Sequence, residues 1–184
     1  MWGGESGGSH FFPREMETIR TRRRSSNPKP LEAFRIAVVN AVERVWVVDE
    51  YFLMPDQGKP DDRILMILDW LQPGLVASDI RILTKAHDEI NEEMLQLFQL
   101  REREINQLQA RRPKQCSIQV NTRLKVGFDF IHDRFAILDD ELWHFGATVG
   151  GFHASVNAAS RGWCAIDSGA IEFFEMAWDK CKGK

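Results

Sequence analysis

The sequence predicts an α/β sandwich, a mixed β-sheet flanked by helices, and it does so through three features. Short β-branched apolar runs recur along the chain, segments with helical apolar spacing alternate with them, and no internal repeat is visible. The chain opens on "MWGGESGGSHFFPREMETIRTRRRSSNPKP", Gly- and Ser-rich, then basic, then broken by prolines. Residues 1–29 therefore read as a flexible basic arm and residues 30–184 as the folded domain. The basic run "RTRRR" offers salt-sensitive, sequence-blind attraction to phosphates, or else simply a solvated tail.

After Pro30, the residues Leu31, Phe34, Val38 and Val42 recur at helical spacing and predict a helix over 31–44. "VWVVDEYF" predicts a buried strand closing on Asp49 and Glu50. In "DDRILMILDWL", Ile64, Ile67, Leu68 and Leu71 share one face behind an acidic start, the pattern of a second helix. "DIRILT" follows as a strand, then a long helix from about His87 to Arg111 striped by Ile90, Met94, Leu97, Phe98, Ile105 and Leu108. "CSIQV", "RFAILD" and "ELWHFG" predict three further strands, the last two joined by an acidic turn at Asp139 and Asp140. Residues 150–161 are small and polar and predict a loop or short helix, "WCAI" a last strand and "AIEFFEMAWDK" a terminal helix.

A chain of 184 residues with 43% hydrophobic content can bury one core. Its formal net charge of −3 gives no global attraction to nucleic acid or anionic lipid, so such a partner requires a local basic patch. Cys116, Cys164 and Cys181 are odd in number and form no C-x-x-C pair, which fits neither a disulfide framework nor a zinc knuckle. A reducing cytoplasm is the expected location. No apolar run reaches the roughly eighteen residues of a membrane span, and the Gly-, Ser- and Glu-containing start lacks the apolar stretch of a signal peptide.

The stretch "IHDRFAILDDELWHFGAT" carries the chemistry. Strand side chains two apart share a face, so His132 and Arg134 are expected side by side, with Phe135 and Ile137 split from Arg134 by parity. A guanidinium offers forked donors that match phosphate oxygens, and an imidazole can donate a hydrogen bond or attack phosphorus. Asp139 has the opposite parity and is expected to orient or form the turn. His144 shares its face with Leu142 and reads as structural. Asp49 and Glu50 end a strand where α/β sheets place their sites, and they read either as a solvated strand terminus or, one of them, as the acid behind His132 that fixes its tautomer. Arg123, Lys125 and Arg161 are candidates for a basic mouth. No metal-ligand cluster, P-loop, dinucleotide fingerprint or G-x-S-x-G elbow is present, and no cofactor is implied.

His132-x-Arg134-x4-Asp139, followed after six residues by Gly146-Ala147-Thr148, resembles the histidine-x-lysine-x4-aspartate motif of the phospholipase D superfamily. "HDRFAILDDELWHFGAT" is also similar to compact bacterial phospholipase D-like domains that read His-Asp-Arg-Phe. The resemblance implies a phospholipase D-like sandwich over roughly 31–180 and metal-independent phosphodiester hydrolysis. One histidine forms a phosphohistidine while a second protonates the leaving oxygen. Two motif copies are needed, so a chain with one copy implies a homodimer. The implied roles are His132 as nucleophile and acid/base, Arg134 as phosphate clamp, and Gly146, Thr148, Asn157 and Arg123 as phosphate contacts. Nucleic acid is the favoured substrate, because the compact relatives are nuclease-like.

The sequence departs from the family pattern at three places. Arg134 stands at the lysine position, Ala147 at the serine position and Gly150 at the asparagine position, which removes two hydrogen-bond donors that Thr148, Asn157 or Ser155 would have to replace. These departures leave a second reading open, a catalytically degenerate module that binds phosphate groups or a protein partner.

Overall fold

The structure is a computed structural model, and it describes residues 9–11, 15–24, 31–55, 58–108, 113–152 and 158–183. In chain order the elements are β1 (Ser9–Phe11), α1 (Met16–Arg24), α2 (Glu32–Asn40), β2 (Arg44–Val48), α3 (Pro60–Trp70) and β3 (Asp79–Leu83). They continue with α4 (Glu92–Leu108), β4 (Ser117–Asn121), α5 (Leu124–Gly127), β5 (Arg134–Leu138) and β6 (Glu141–Phe145). A 3-10 turn (Val149–Gly151), β7 (Ala159–Cys164) and α6 (Ala170–Cys181) complete the chain. The described strands form one mixed sheet in the order β1-β7-β6-β5-β2-β3-β4. β2, β3 and β4 are parallel neighbours, while β5 joins β2 antiparallel and β6 returns along β5.

Both faces of the sheet are covered, which is why β2 reads as an unbroken apolar run. Val45 and Val47 point into a core with Phe34 and Val38 of α2, Ile64 and Trp70 of α3, and Phe98 and Ile105 of α4. Trp46 and Val48 point into a second core with Leu124 of α5 and Phe174 and Trp178 of α6. Alternation along β5 follows the same rule, with Ala136 and Leu138 in the first core and Phe135 and Ile137 in the second.

The boundaries differ from the sequence expectation where local chemistry intervenes. The helix expected over 31–44 stops at Asn40, because the backbone turns extended at Ala41 to enter β2 at Arg44. The long helix begins at Glu92, where the Asn91 side-chain oxygen accepts the Met94 amide at 2.9 Å in the manner of an N-cap. The last strand, expected at 163–166, runs Ala159–Cys164, and Ala165 to Gly169 form the turn into α6. The first twenty-nine residues supply regular structure at two places. Ser9–Phe11 pairs antiparallel with β7 at the sheet edge, and Met16–Arg24 is helical. Arg22 of that helix places a guanidinium nitrogen 3.8 Å from where a Cβ on Gly151 would sit.

Asp139 forms the β5–β6 turn at φ 52°, a left-handed conformation that aspartate and asparagine tolerate better than most residues. Its carboxylate accepts the backbone amides of Val42, Glu43 and Arg44 at 2.7–3.1 Å, fixing the entry to β2. Replacing Asp139 with alanine leaves three amides without that acceptor and should cost about 2 kcal/mol, whereas Asp139→Asn should cost less. Urea denaturation of the two variants checks this ordering, and equal losses would contradict it.

Candidate active site

The register of the sheet gathers five strand ends at one edge. β2 leads into Asp49, Glu50 and Tyr51, β3 into Thr84 and Lys85, and β4 ends at Asn121. β5 enters from His132 and Asp133, and β6 leaves into Gly146, Ala147 and Thr148. Val48 pairs with Phe135 and Arg134 with Phe145, so these ends are lateral neighbours. Asp139 lies at the opposite edge, about 17 Å from Arg134 along β5 at roughly 3.3 Å per residue. Its role is in the turn, and it does not join a shared site with His132 and Arg134.

Asp49 is 0% exposed and anchors the edge. Its Oδ1 accepts the Tyr51 amide at 2.9 Å and its Oδ2 accepts the Val149 amide at 2.9 Å, while Arg134 Nε lies 3.7 Å from Oδ1. Burial pushes its carboxyl pKa up to about 6, opposed by those two amides and by the charges of Arg134 and Arg63. Arg63, 1% exposed, donates to the carbonyls of Phe52 at 3.3 Å and Phe152 at 3.1 Å, and its guanidinium lies over the Phe152 ring. Together the two buried charges tie the loop after β2 to the loop after β6.

His132 precedes β5 in an irregular stretch rather than lying within the strand. The residues around it alternate in the extended manner. Ile131, Asp133 and Phe135 line one cavity of about 320 Å³ on the α6 side, together with His144, whose Nε2 is 3.7 Å from Asp133. Arg134 points to the other side, toward Asp49, and His132 is absent from the lining of this cavity. His132 is exposed and makes no hydrogen bond or ion pair among the described residues. Neither acid fixes its tautomer here: Asp49 is occupied by amides and Arg134, and Glu50 pairs with Lys125 at 3.1 Å.

The remaining candidates are mostly engaged elsewhere. Thr148 is 2% exposed, too buried for direct contact with a phosphate in this conformation, and its carbonyl accepts the Gly151 amide. The Gly146 amide already donates to the Ala158 carbonyl at 3.0 Å. The Arg123 guanidinium lies beside Gly183, against the carbonyl end of α6, where a cation is favoured. Lys125 is held by Glu50 and Asp129, and Arg161 by Glu141. The basic mouth expected from these three side chains is therefore not assembled. Asn157 and Ser155 lie outside the described residues, as does His153. Among the described residues no three metal-ligating side chains converge.

Two side chains at this edge escaped the sequence reading. Tyr51, the single tyrosine, has Lys85 Nζ 3.8 Å and Arg134 Cζ 5.2 Å from its ring centre. Both Tyr51 and Lys85 follow the carboxyl ends of parallel strands, the position that signals a site in α/β sheets. Gly150 also finds its reason here. It sits at φ 80°, and a Cβ would come within 2.0 Å of the Trp70 indole, so no asparagine fits at that position.

No family model and no curated protein matches the chain. Among solved structures, NucT from Helicobacter pylori, of the phospholipase D superfamily, superposes with a TM-score of 0.52 at 12% identity, covering 98% of this chain and 100% of NucT. The fold is phospholipase D-like. TrmBL2, an archaeal chromatin protein, gives a TM-score of 0.43 at 10% identity over 94% of this chain and 52% of its own. Phosphatidylserine synthase of Haemophilus influenzae gives 0.48 at 13% identity over 78% and 33%. This chain thus spans about half of the chromatin protein and a third of the synthase, and the fold assignment rests on NucT. Within the phospholipase D-like frame, the His132 stretch enters the sheet at the edge where the Asp49 carboxylate is buried.

Two expectations test this arrangement. Gly150→Ala should destabilise the chain by about 3 kcal/mol, since both the positive φ and the indole oppose a side chain. Thermal melting reads this directly, and an unchanged midpoint would refute the close approach. The Asp49 carboxyl, at about 6, lies above its ordinary 3.8, so the folded chain takes up the proton first. Its ionisation costs stability above about pH 6, and the cost shrinks as pH falls from 6 towards 4. Relative to Asp49→Asn, the wild-type chain should gain on the order of 1 kcal/mol between pH 7 and pH 5. A stability difference that does not change with pH would contradict the burial of this charge.

Proposed function

We propose that this chain is a phosphodiesterase of the phospholipase D type that acts on nucleic acid, without a metal and as a homodimer. The observation that carries the reading is a guanidinium held at the strand ends by a buried carboxylate, two residues after an exposed imidazole with no partner among the described residues. His132 is exposed and Arg134 faces buried Asp49; acting together, the two supply a nucleophile and a forked anion ligand. NucT, whose fold this chain shares, is a nuclease of the phospholipase D superfamily, which favours nucleic acid over other phosphodiesters.

In the proposed reaction an imidazole nitrogen of His132 attacks phosphorus, and the P–O bond to the leaving group breaks. The leaving oxygen takes a proton from His132 of a second copy. That second imidazole then removes a proton from water, which attacks the phosphohistidine and frees the first histidine. Arg134 balances the charge of the non-bridging oxygens as the trigonal bipyramid forms. Asp49 contributes by holding Arg134 and the Val149 loop.

One observation favours a second reading. The Gly146 amide and Thr148 are both withdrawn from the edge, and Gly150 has no room for a side chain, so donors to a developing phosphorane are sparse. A module that binds phosphates without turnover has the same His132–Arg134 pair and lacks only the rate.

Cleavage of labelled DNA and RNA in the presence of EDTA separates the two. For the enzyme, His132→Ala should lower the rate at least about a thousandfold while the chain remains folded, and Arg134→Ala about a hundredfold. Salt-dependent binding without cleavage supports the binding module. Sedimentation showing only monomer at assay concentration would overturn the two-histidine reaction.

A further inference from the structure

The sheet order β5-β2-β3 gives Tyr51 a particular place. It leaves the central strand of the three, and the strands on either side each bring a cation to its ring. Lys85 Nζ stands 3.8 Å and Arg134 Cζ 5.2 Å from the ring centre, so the two positive groups are no more than 9.0 Å apart. Both distances are within reach of cation–π attraction. Lys85 is half-buried and has no carboxylate partner among the described residues. Glu50 is turned to Lys125, and Asp49 faces Arg134 from beneath. Asp49 offsets only Arg134, so two cations this close leave a positive edge that an anion reaching both would neutralise.

We propose that Lys85 is a second phosphate-binding residue of this site and that Tyr51 positions it together with Arg134. The inference rests on the phosphodiester reading above and deepens it. Arg134 occupies the family's lysine position but presents a broad planar fork, and it is Lys85, delivered from a neighbouring strand, that supplies the compact ammonium. The ring attracts both cations through its quadrupole, so its hydroxyl is dispensable and its aromaticity is not. Tyr51, 38% exposed, has both cations beside its ring, which makes it a positioning residue rather than a platform for a base.

The test is binding of a fluorescent single-stranded oligodeoxynucleotide by anisotropy over a salt series, with folding checked by circular dichroism and melting. Lys85→Ala should weaken binding about tenfold at moderate salt and flatten the slope of log affinity against log salt by about 0.7, the loss of one phosphate contact on a single strand. Lys85→Arg should restore most of both. Tyr51→Phe should bind as wild type, whereas Tyr51→Leu, similar in bulk but without a ring, should behave like Lys85→Ala. If Lys85→Ala keeps wild-type affinity and slope while Arg134→Ala loses them, the Lys85 assignment is overturned and the phosphodiester reading stands. If Arg134→Ala also binds as wild type, or the wild-type chain does not bind, the phosphodiester reading falls and this inference with it. Should Tyr51→Leu prove unstable, the Lys85→Ala and Lys85→Arg pair with Tyr51→Phe still decides the matter.

Discussion

A carboxylate sealed from water needs every oxygen satisfied, and the edge of this sheet is organised around meeting that need for Asp49. One oxygen takes the Tyr51 amide and the other the Val149 amide, and the Arg134 guanidinium supplies the counter-charge. Each partner belongs to a different part of the chain, so satisfying one buried acid fixes the loop after β2, the loop after β6 and the start of β5. Arg63, also buried, repeats the device one layer deeper by bonding the Phe52 and Phe152 carbonyls. Rigid support of this kind lets an exposed site be built on strand ends whose own hydrogen-bond ladder has run out.

Two of the departures from the phospholipase D motif that the sequence resembles, at Gly150 and Arg134, have physical reasons in the structure. Gly150 is forced by the approach of the Trp70 indole, which stacks on Phe152 and belongs to the core rather than to the site. Arg134 suits its position because a guanidinium can face a buried carboxylate with one nitrogen and leave the rest of its fork free, which a single ammonium does less well. Asp139, which matches the aspartate of the motif that the sequence resembles, serves the fold instead. Its bonds to the Val42, Glu43 and Arg44 amides set the far end of β2, and with it the register that brings Asp49 beside Arg134.

The layered architecture was legible because apolar periodicity reports burial directly. Val45 to Val48 had to be buried on both faces, and the stripe from Met94 to Ile105 had to face a core. The strand-end position of Asp49 was legible for the same reason, as was the parity that sets Arg134 apart from Phe135. What the sequence concealed were pairings across the sheet. Nothing in the neighbourhood of Glu50 announces that Lys125 takes it, or that Gly183 lies beside Arg123, because those contacts depend on how β4, α5 and α6 pack. Tyr51 and Lys85 are thirty-four positions apart, and only the β2–β3 register unites them. Ser9–Phe11 was hidden for another reason: three residues carry too little pattern to distinguish a strand from a tail.

Pairing between β1 and β7 has a consequence for the solubility of the whole chain. Without Ser9, His10 and Phe11 alongside, β7 would present its outward row of amides and carbonyls to any passing backbone, and six residues are enough to nucleate such an association. A strand only three residues long offers far less to the next molecule. β1 thus acts as a hem that keeps the open border of the sheet from unravelling into aggregates.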